Sequence, residues 1–451
     1  MKKYLVSSFT PGAKADKKFI KALETFSNYH NAPILLKPTK ANYKDLQLDY
    51  RGVPEEYIVE EEVRLNSSLV ISDMLINHNL VDPISGLESV ANAKGSLVVA
   101  SPRHRFKSVA RSLKHDNLPR GIWCTGSVSE PCYKSTKQGL RMKGYHLKGA
   151  LVITVENNKI FHIRQLTYDS KLGGFHDLDM FYTSSGRALP REIEAISLGD
   201  LHPPFVNKNA MKATLKMIKR LRPKNIVFHD TFDASSISHH VEGKHLTKAL
   251  ISEKIPTLDE ELRITAKCLK EFYEAGVSHG AKFHIVKSNH DEHLDRYLDE
   301  FRFVSDYRNL LVALDLVKQK VKFKMNLADQ DSLEFGLTKH EECIKNFNFL
   351  ERDDKLDIEG VECGNHGDFG PNGARGSAKA NGLAFSGNII TGHQHTPEIG
   401  VYGNSVNGTM TDLSLPYTND SGTSGWLHTH TIVYRNGAIS HIHLIPGSKH
   451  E

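Results

Sequence analysis

Short apolar runs, each ending in a cluster of polar residues, recur through the second half of the chain. They predict buried strands at residues 194–198, 225–228, 283–287 and 388–391. Amphipathic spacing predicts helices between them at residues 209–222, 257–276 and 294–301, the second starting with a capping box from Thr257 to Glu260. Strands that alternate with helices are typical of an α/β fold.

The first part of the chain has its own set of predicted elements. Apolar patterning predicts strands at residues 4–7, 32–36 and 96–100, a helix at 17–26, and a hairpin at 150–166 that turns at Asn157-Asn158. Ser, Gly and Pro at 183–191 predict a linker. We therefore divide the chain into an N-terminal domain of α/β or α+β class, residues 1–190, and a C-terminal α/β domain, residues 191–451.

Composition narrows the protein class. The chain has 451 residues, of which 39% are hydrophobic and 25% charged, as in a globular protein of about two domains. No apolar run approaches the roughly 20 residues of a membrane helix, and the N-terminus lacks a signal-peptide core, so we expect a cytoplasmic protein with no membrane partner. A phage-encoded chain would work in the host cytoplasm. The five cysteines form no CxxC pair, which disfavours a zinc ribbon.

Positive charge is concentrated in the N-terminal part. Residues 101–150 contain eleven Lys and Arg against two Asp and Glu, interleaved with aromatic residues, and the whole chain has a net charge of +5. Such a segment can neutralise phosphates and stack on bases, which makes DNA the expected partner and Arg103, Arg105 and Lys107 candidate contacts. The alternative is a solvated basic face with aromatic residues in the core. No resemblance to a known family is evident in residues 1–190.

Polar clusters follow the C-terminal strands, where ligands of open α/β sheets gather. They contain Asp200 and His202, Asp230, Asn289 with His290 and Asp291, His366, and His393 with His395. Two-residue spacing in extended chain places both side chains of a pair on one side. Mixed oxygen and imidazole donors suit Mn²⁺, Fe or Zn²⁺ better than Ca²⁺. Each cluster alone could instead be a turn, a cap or a strand face.

The ordered motifs GD-x-H, HDTFD, NHD, a lone His and GHQH resemble those of the calcineurin-like metallophosphoesterases. The resemblance covers about residues 192–415 and is nearest to the SbcD-type and phage DNA-repair nucleases. It implies a β-sandwich flanked by helices. The chain has His229 and Ser288 where the family has glycines, and about 190 residues precede its first motif.

The resemblance also implies roles for individual residues. Asp230 would bridge two divalent metal ions, for which Mn²⁺ is expected and Fe, Zn²⁺ or Mg²⁺ are alternatives. One ion would be held by Asp200, His202, Asp230 and His395, and the other by Asp230, Asn289, His366 and His393. His290 would be catalytic, with Asp291 as its orienting partner. Asp233 and Arg375, the latter in the glycine-rich run 366–376, are further candidates for substrate binding.

Three functions follow from these observations. The first is a DNA nuclease, in which a metal-activated hydroxide attacks phosphorus and His290 assists the leaving group. The second is a phosphatase or phosphodiesterase of a small nucleotide or other phosphoester. The third is a scaffold without activity, which has no need of so many metal ligands. A homo-oligomer is left open, and no coiled-coil arms for an ATPase partner are visible in the sequence.

Overall fold

The computed structural model describes residues 1–40, 50, 52–112, 118, 120–237, 256–413 and 423–448. Its strands are β1 Lys2–Phe9, β2 Ile34–Pro38, β3 Val63–Asn66, β4 Leu69–Ile71, β5 Ser96–Val99, β6 Phe106–Ser108, β7 Arg111–Ser112, β8 Gly121–Cys124, β9 Gly149–Val155, β10 Phe161–Asp169, β11 Gly174–Asp177, β12 Met180–Thr183, β13 Ala188–Pro190, β14 Ala195–Ser197, β15 Asn225–Phe228, β16 Lys282–Val286, β17 Phe347–Leu350, β18 Asp357–Ile358, β19 Val361–Glu362, β20 Ile390–Thr391, β21 Glu398–Ile399, β22 Ser405–Val406, β23 Thr423–Ser424, β24 Thr429–Val433 and β25 Ile439–His443.

The helices in the described part of the chain are α1 Lys17–His30, α2 Glu88–Lys94, α3 Lys137–Gly144, α4 Lys208–Leu221, α5 Leu258–Gly276, α6 Asp291–Asp299, α7 Leu310–Lys324, α8 Ser332–Thr338 and α9 Ala378–Ala384. The capping box predicted before α5 is present: the Thr257 hydroxyl accepts from the Glu260 amide, and the Glu260 side chain accepts from the Thr257 amide. None of the helices in the described ranges is long and apolar enough to cross a membrane.

The first sheet is built from N-terminal residues, in the order β13-β12-β11-β10-β9-β1-β2. The predicted hairpin is confirmed, since β9 and β10 pair antiparallel and the Asn157 side chain accepts hydrogen bonds in their turn. Residues 183–191, which we expected to be a linker, include β13 and pair with β12 as a further hairpin. Helix α1 covers one face of this sheet through Phe19 and Phe26.

The third sheet carries the C-terminal motifs, in the order β17-β16-β15-β14-β24-β25. Strands β14 to β17 are parallel, and β24 runs antiparallel to β14. The strands predicted at 194–198, 225–228 and 283–287 are therefore confirmed, as are α4 and α5. Helices α4 to α8 cover one face of the sheet, where Phe228 and Phe272 lie in the core. The outcome is a mixed α/β protein with several sheets.

The second sheet takes strands from both sides of residue 190. Its order is β20-β22-β21-β6-β8-β5-β4-β3, and β21 pairs antiparallel with β6 so that Ile399 lies opposite Phe106. One core joins this sheet to the first, with Val98 and Trp123 packed among Leu151 and its neighbours. The division of the chain at residue 190 stays a prediction. The second sheet contains strands from both sides of that division.

Candidate metal centre

The polar motifs lie at one edge of the third sheet. The chain leaves β14 into Asp200 and His202, β15 into Asp230, and β16 into Asn289 and His290. These strands are parallel neighbours, so their carboxyl ends meet. The segment after β20, which contains His393 and His395, completes the site from the second sheet.

Four of the candidate ligands have a left-handed backbone, which non-glycine residues adopt rarely. The φ angles of His202, Asp230, His393 and His395 are 42°, 46°, 71° and 56°. Each such conformation costs about 1–3 kcal/mol and persists only where surrounding contacts hold it. One of these contacts is the hydrogen bond from the His202 amide to the Asp230 carbonyl, 2.8 Å long. Residues of this kind cluster at functional sites, and here they bring side chains from distant loops together.

The ligating atoms of three groups of residues converge: one group is His202, Asp233 and His290, and Asp230 belongs to the other two. His202, Asp230 and His395 form one of these two, and Asp200, Asp230 and His366 form the other, with the atoms of each group within 4.8 Å of one another. The two carboxylate oxygens of Asp230 point different ways: Oδ2 lies 3.2 Å from Nε2 of His202 and Oδ1 lies 3.3 Å from Nε2 of His366. A carboxylate so placed can serve two cations.

Several buried polar atoms of the cluster make no hydrogen bond within the described part of the chain. They include Oδ1 of Asp200, Oδ1 of Asn289, Nδ1 of His366 and Nδ1 of His395. More than nine-tenths of buried polar groups in proteins are hydrogen-bonded, so a concentration of unpaired ones calls for a ligand. Carboxylate, amide and imidazole donors together fit a divalent transition metal.

His202 is held by a second carboxylate. Its Nδ1 lies 2.8 Å from Oδ1 of Asp233, and its Nε2 lies 3.2 Å from Nε2 of His395. A carboxylate on Nδ1 is the usual outer partner of a metal-binding histidine, because it fixes the ring and leaves Nε2 free for the ion. The Asp233 carboxylate thus positions His202, and contact between Asp233 and substrate stays a prediction.

Attraction between the aspartates and histidines of the cluster shifts their pKa values when no metal is bound. Burial alone would lower the pKa of His202, but Asp230 and Asp233 raise it well above the usual value. Burial would likewise raise the pKa of Asp230, and the nearby His366, His290 and His202 bring it well below the usual value. In the same way His366, despite burial, has its pKa raised to about 9 by Asp230. The raised pKa values of His202 and His366 show that the carboxylates of the cluster favour positive charge here, which a bound cation could supply.

The contacts of His290 differ from the expectation. Its Nδ1 lies 2.7 Å from the carbonyl oxygen of Asp233, and its ring lies 4.7 Å from the ring of His202. Asp291, which we expected to orient it, turns back and accepts a hydrogen bond from the Ser288 amide, 2.9 Å long, which stabilises the turn into α6. Burial raises the pKa of Asp291 to about 7 and lowers that of His290.

The rings of His393 and His229 both lie next to the ring of His366. The ring centroids are 5.3 Å and 5.6 Å from that of His366, and His393 is the more accessible. His229, which replaces a family glycine, is buried with its Nε2 3.2 Å from the Ser197 hydroxyl. The His229 ring is therefore accommodated in the core next to the cluster, and Asp230 still reaches the other ligands.

Gly392 is required by the close approach of Asp200. A β-carbon at this position would lie 2.1 Å from Oδ1 of Asp200 and 3.0 Å from His229. The glycine before His393 thus allows the loop of the second sheet to lie directly on the first motif. No pattern in the sequence indicated this contact.

The loop after His366 is tied to the start of α6. Arg352 makes two hydrogen bonds of 2.8 Å to the carboxylate of Asp368 and a third, also 2.8 Å, to Glu292. The amides of Gly370 and Gly376 bond within the loop, so they are not free to receive a phosphate. Arg375 is exposed. The role of Arg352 was missed from the sequence because its partners are distant along the chain.

The three basic N-terminal candidates are placed inside the protein. Arg103 and Arg105 are 2% and 5% exposed. Arg103 donates to the carbonyls of residues 78 and 80, and Arg105 is paired with Asp82 and Glu398. Lys107 is paired with Glu88. These contacts stabilise the second sheet and leave the two guanidinium groups no open face for DNA.

Three buried histidines of β24 and β25 are hydrogen-bonded outside the metal cluster. On β24 and β25, His430 bonds Thr214, His441 bonds Ser405 and His443 bonds Thr429, all buried. They are members of a polar strand face. His239 and His240 lie outside the described residues.

The fold and the buried cluster define a protein with His and Asp groups that could hold metal ions. No protein-family model matches the chain. The chain is similar to Protein A1 of Escherichia phage T5, with 28% identity over 468 residues, covering 97% of this chain and 80% of that protein. The similarity thus runs through both the N-terminal part and the metal centre.

Proposed function

We propose that this protein is a phosphodiesterase that depends on two divalent metal ions and cleaves DNA. The observation that carries the proposal is Asp230, whose two oxygens face two separate groups of buried donors. We assign Asp200, His202, Asp230 and His395 to one ion and Asp230, Asn289, His366 and His393 to the other, with Mn²⁺ as the expected metal. The associated fold would be the metallophosphoesterase sandwich.

Bound metals of this kind polarise a phosphoryl group and lower the pKa of water. The protein contributes the positions of the donors and a proton. Nδ1 of His290 donates its proton to the Asp233 carbonyl, so a second proton taken up by the ring lies on Nε2, and burial, which lowers the pKa of His290, favours its release. From Nε2 a proton can pass to the leaving oxygen of the phosphodiester. Asp233 contacts both His202 and His290. It therefore fixes the distance between a proposed metal ligand, His202, and the proposed proton donor, His290.

The similarity to a phage protein supports a phage setting, with the host cytoplasm as the place of action. DNA as substrate is supported by the basic N-terminal part, where Lys137, Arg141 and Lys143 on α3 remain exposed. A small phosphoester is the second candidate, because Arg103 and Arg105 are used inside the protein and do not contribute to a DNA surface.

The test is cleavage of linear and circular DNA with and without Mn²⁺, using wild-type protein and His290→Ala. A nitrophenyl phosphodiester and a nitrophenyl phosphomonoester are assayed in parallel. We expect Mn²⁺-dependent DNA cleavage that falls by about 10²–10⁴-fold in the variant. His340→Ala is the matched control, since this half-buried histidine contacts Asp259 away from the cluster.

Hydrolysis of the small esters without DNA cleavage would shift the assignment to a small-molecule phosphoesterase. Full activity of His290→Ala with intact metal dependence would remove His290 from the mechanism. If Mn²⁺ neither binds nor supports any hydrolysis, the proposal fails.

A further inference from the structure

A fully buried glutamate of helix α5 holds the loop that carries Asp233. Glu261 is 0% exposed. Its Oε1 accepts a hydrogen bond from the Ser235 amide, 3.2 Å long, and its Oε2 accepts one from the Ser236 amide, 2.9 Å long. Each carboxylate oxygen thus takes one backbone amide of the segment that follows Asp233. A carboxylate bound in this way defines the positions of both amides together.

The loop needs support because its backbone is strained on both sides of Asp233. Asp230 and Ala234 have left-handed φ angles of 46° and 61°. Residues other than glycine adopt this conformation rarely, and it persists only where surrounding contacts hold it. The two amides that Glu261 binds come one and two residues after Ala234, so their hydrogen bonds hold the second of these turns.

The start of helix α5 is tied to the same loop by a second contact. The capping box fixes the start of the helix at Leu258, three residues before Glu261. Oδ1 of Asn309 accepts from the Leu258 amide, 2.7 Å long, and its Nδ2 donates to the Ser236 carbonyl, 3.3 Å long. The distance from the first turn of α5 to the loop is therefore fixed by two side chains, Glu261 and Asn309.

The Glu261 carboxylate is costly for the folded protein. Burial and, next, the negative charge of Asp233 raise the pKa of Glu261 to about 7, although hydrogen bonds from Ser235 and Ser236 lower it. The net shift disfavours the charged form, so an ionised Glu261 makes the folded state less stable. A neutral side chain of the same shape would avoid this penalty. Groups that cost stability in this way are typical of functional sites.

We propose that Glu261 is a positioning residue that acts on the reaction through Asp233, a role that rests on the proposed function. The contacts run from the Glu261 carboxylate through two amides to Asp233. The Asp233 carboxylate lies 2.8 Å from Nδ1 of His202, and its carbonyl lies 2.7 Å from Nδ1 of His290. Glu261 therefore holds the residue that orients a proposed metal ligand and the proposed proton donor. A displacement of about 1 Å at such a distance from the chemistry can lower a rate by about 100-fold.

The experiment compares Glu261→Gln with wild type in the full-length protein, with the nitrophenyl phosphodiester as substrate and saturating Mn²⁺. Glutamine keeps the shape and one acceptor oxygen, but its amino group cannot accept from the second amide. We expect kcat to fall by about 10–100-fold, with KM unchanged and little change in Tm. Glu334→Gln is the matched control, because Glu334 is a half-buried glutamate on α8 that accepts from Gln330. It should keep the wild-type kcat.

Hydrogen exchange tests the loop without any assay of activity. Peptides that cover residues 230–237, separated and weighed by mass spectrometry, should exchange faster in Glu261→Gln, because one amide of the loop loses its acceptor. The Glu334→Gln variant should exchange there like wild type. A loss of kcat together with faster exchange of this loop is the signature of positioning, which a general loss of stability would not confine to these residues.

Wild-type kcat in Glu261→Gln, or wild-type exchange of residues 230–237, would overturn the role of Glu261. Glu261→Asp retains the charge but is one methylene shorter and cannot span both amides, so full kcat in this variant would overturn it as well. If melting curves show that Glu261→Gln is unfolded, Glu261→Asp decides: a folded chain with lower kcat and faster loop exchange supports the role, and an unfolded one shows a purely structural residue.

Failure of the proposed function gives a different result. In that case wild type itself shows no Mn²⁺-dependent hydrolysis, and the role of Glu261 in the reaction falls with it. Failure of the positioning role alone leaves an active wild type and an equally active Glu261→Gln.

Discussion

The Asp233 carboxylate lies 2.8 Å from Nδ1 of His202, and the Asp233 carbonyl lies 2.7 Å from Nδ1 of His290. One residue therefore fixes the orientation of two histidines, with two different atoms. Because only the carboxylate depends on the side chain, substitution of Asp233 separates the two roles.

Asp233→Asn should weaken Mn²⁺ binding by about 10–100-fold, as loss of an outer carboxylate partner does. The carbonyl contact to His290 is retained, so DNA cleavage at saturating Mn²⁺ should fall much less than in His290→Ala. Isothermal titration calorimetry measures the affinity, with Asp169→Asn in the first sheet as control. An unchanged Mn²⁺ affinity would show that Asp233 does not support a metal ligand.

Metal addition should stabilise the protein. Free Mn²⁺ at 100 times its Kd raises the free energy of unfolding by about 2.7 kcal/mol, since the unfolded chain lacks the assembled site. His395→Ala removes one donor and should abolish most of this gain. Denaturant unfolding with and without Mn²⁺ measures the difference. Equal stabilisation of wild type and variant would place the ion elsewhere.

Gly392→Ala should disturb the metal centre, because the new β-carbon would meet the carboxylate of Asp200. Overpacking of this kind costs about 1–3 kcal/mol. We expect a lower Tm together with a loss of the Mn²⁺-induced rise in Tm. Gly144→Ala is the control, since a β-carbon there has no neighbour within 4 Å. A variant that melts and binds Mn²⁺ like wild type would argue against the close contact.

Acid should destabilise the protein through a buried histidine away from the metal centre. Burial lowers the pKa of His443 from its ordinary value of 6.5 to about 3. Between these values the unfolded chain binds a proton that the folded chain does not, so stability is full above pH 6.5 and falls as pH decreases. At pH 5 the loss is about 2 kcal/mol.

His443→Gln should remove this part of the pH dependence. Urea unfolding at pH 5 and pH 7.5 measures it, and the variant should lose less stability between the two pH values than wild type. His340→Gln, at a half-buried site, is the comparison. If His443→Gln and wild type show the same slope with pH, His443 does not titrate as the structure indicates.

Local patterns predicted the elements around the metal centre well. Strand β15 has the predicted bounds, helix α4 is shifted from its predicted bounds by one residue at each end, and helix α5 differs by one residue at its start. This accuracy has a physical reason: each strand is a short apolar run that ends where polar side chains must reach solvent or a ligand, and the capping box at Thr257 fixes a helix start from four adjacent residues.

Long-range pairing was not predictable in the same way. The basic residues of 101–150 suggested a DNA-binding surface. Arg105 is instead paired with Glu398, which lies 293 residues away along the chain. A charge run shows how many cations are present and nothing about which carboxylates the fold brings to them. The resemblance implied that Asp291 orients His290, whereas the backbone carbonyl of Asp233, 57 residues away, makes that contact.

The pairing of β6 with β21 has a consequence for how this protein can be divided. A chain cut near residue 190 would leave each of these strands with an open row of amides and carbonyls, the kind of edge that promotes aggregation. The two pieces should be poorly soluble when expressed apart and should recover a common fold when expressed together. We therefore expect the halves to behave as complementary fragments, so that a change in either shifts the melting of both.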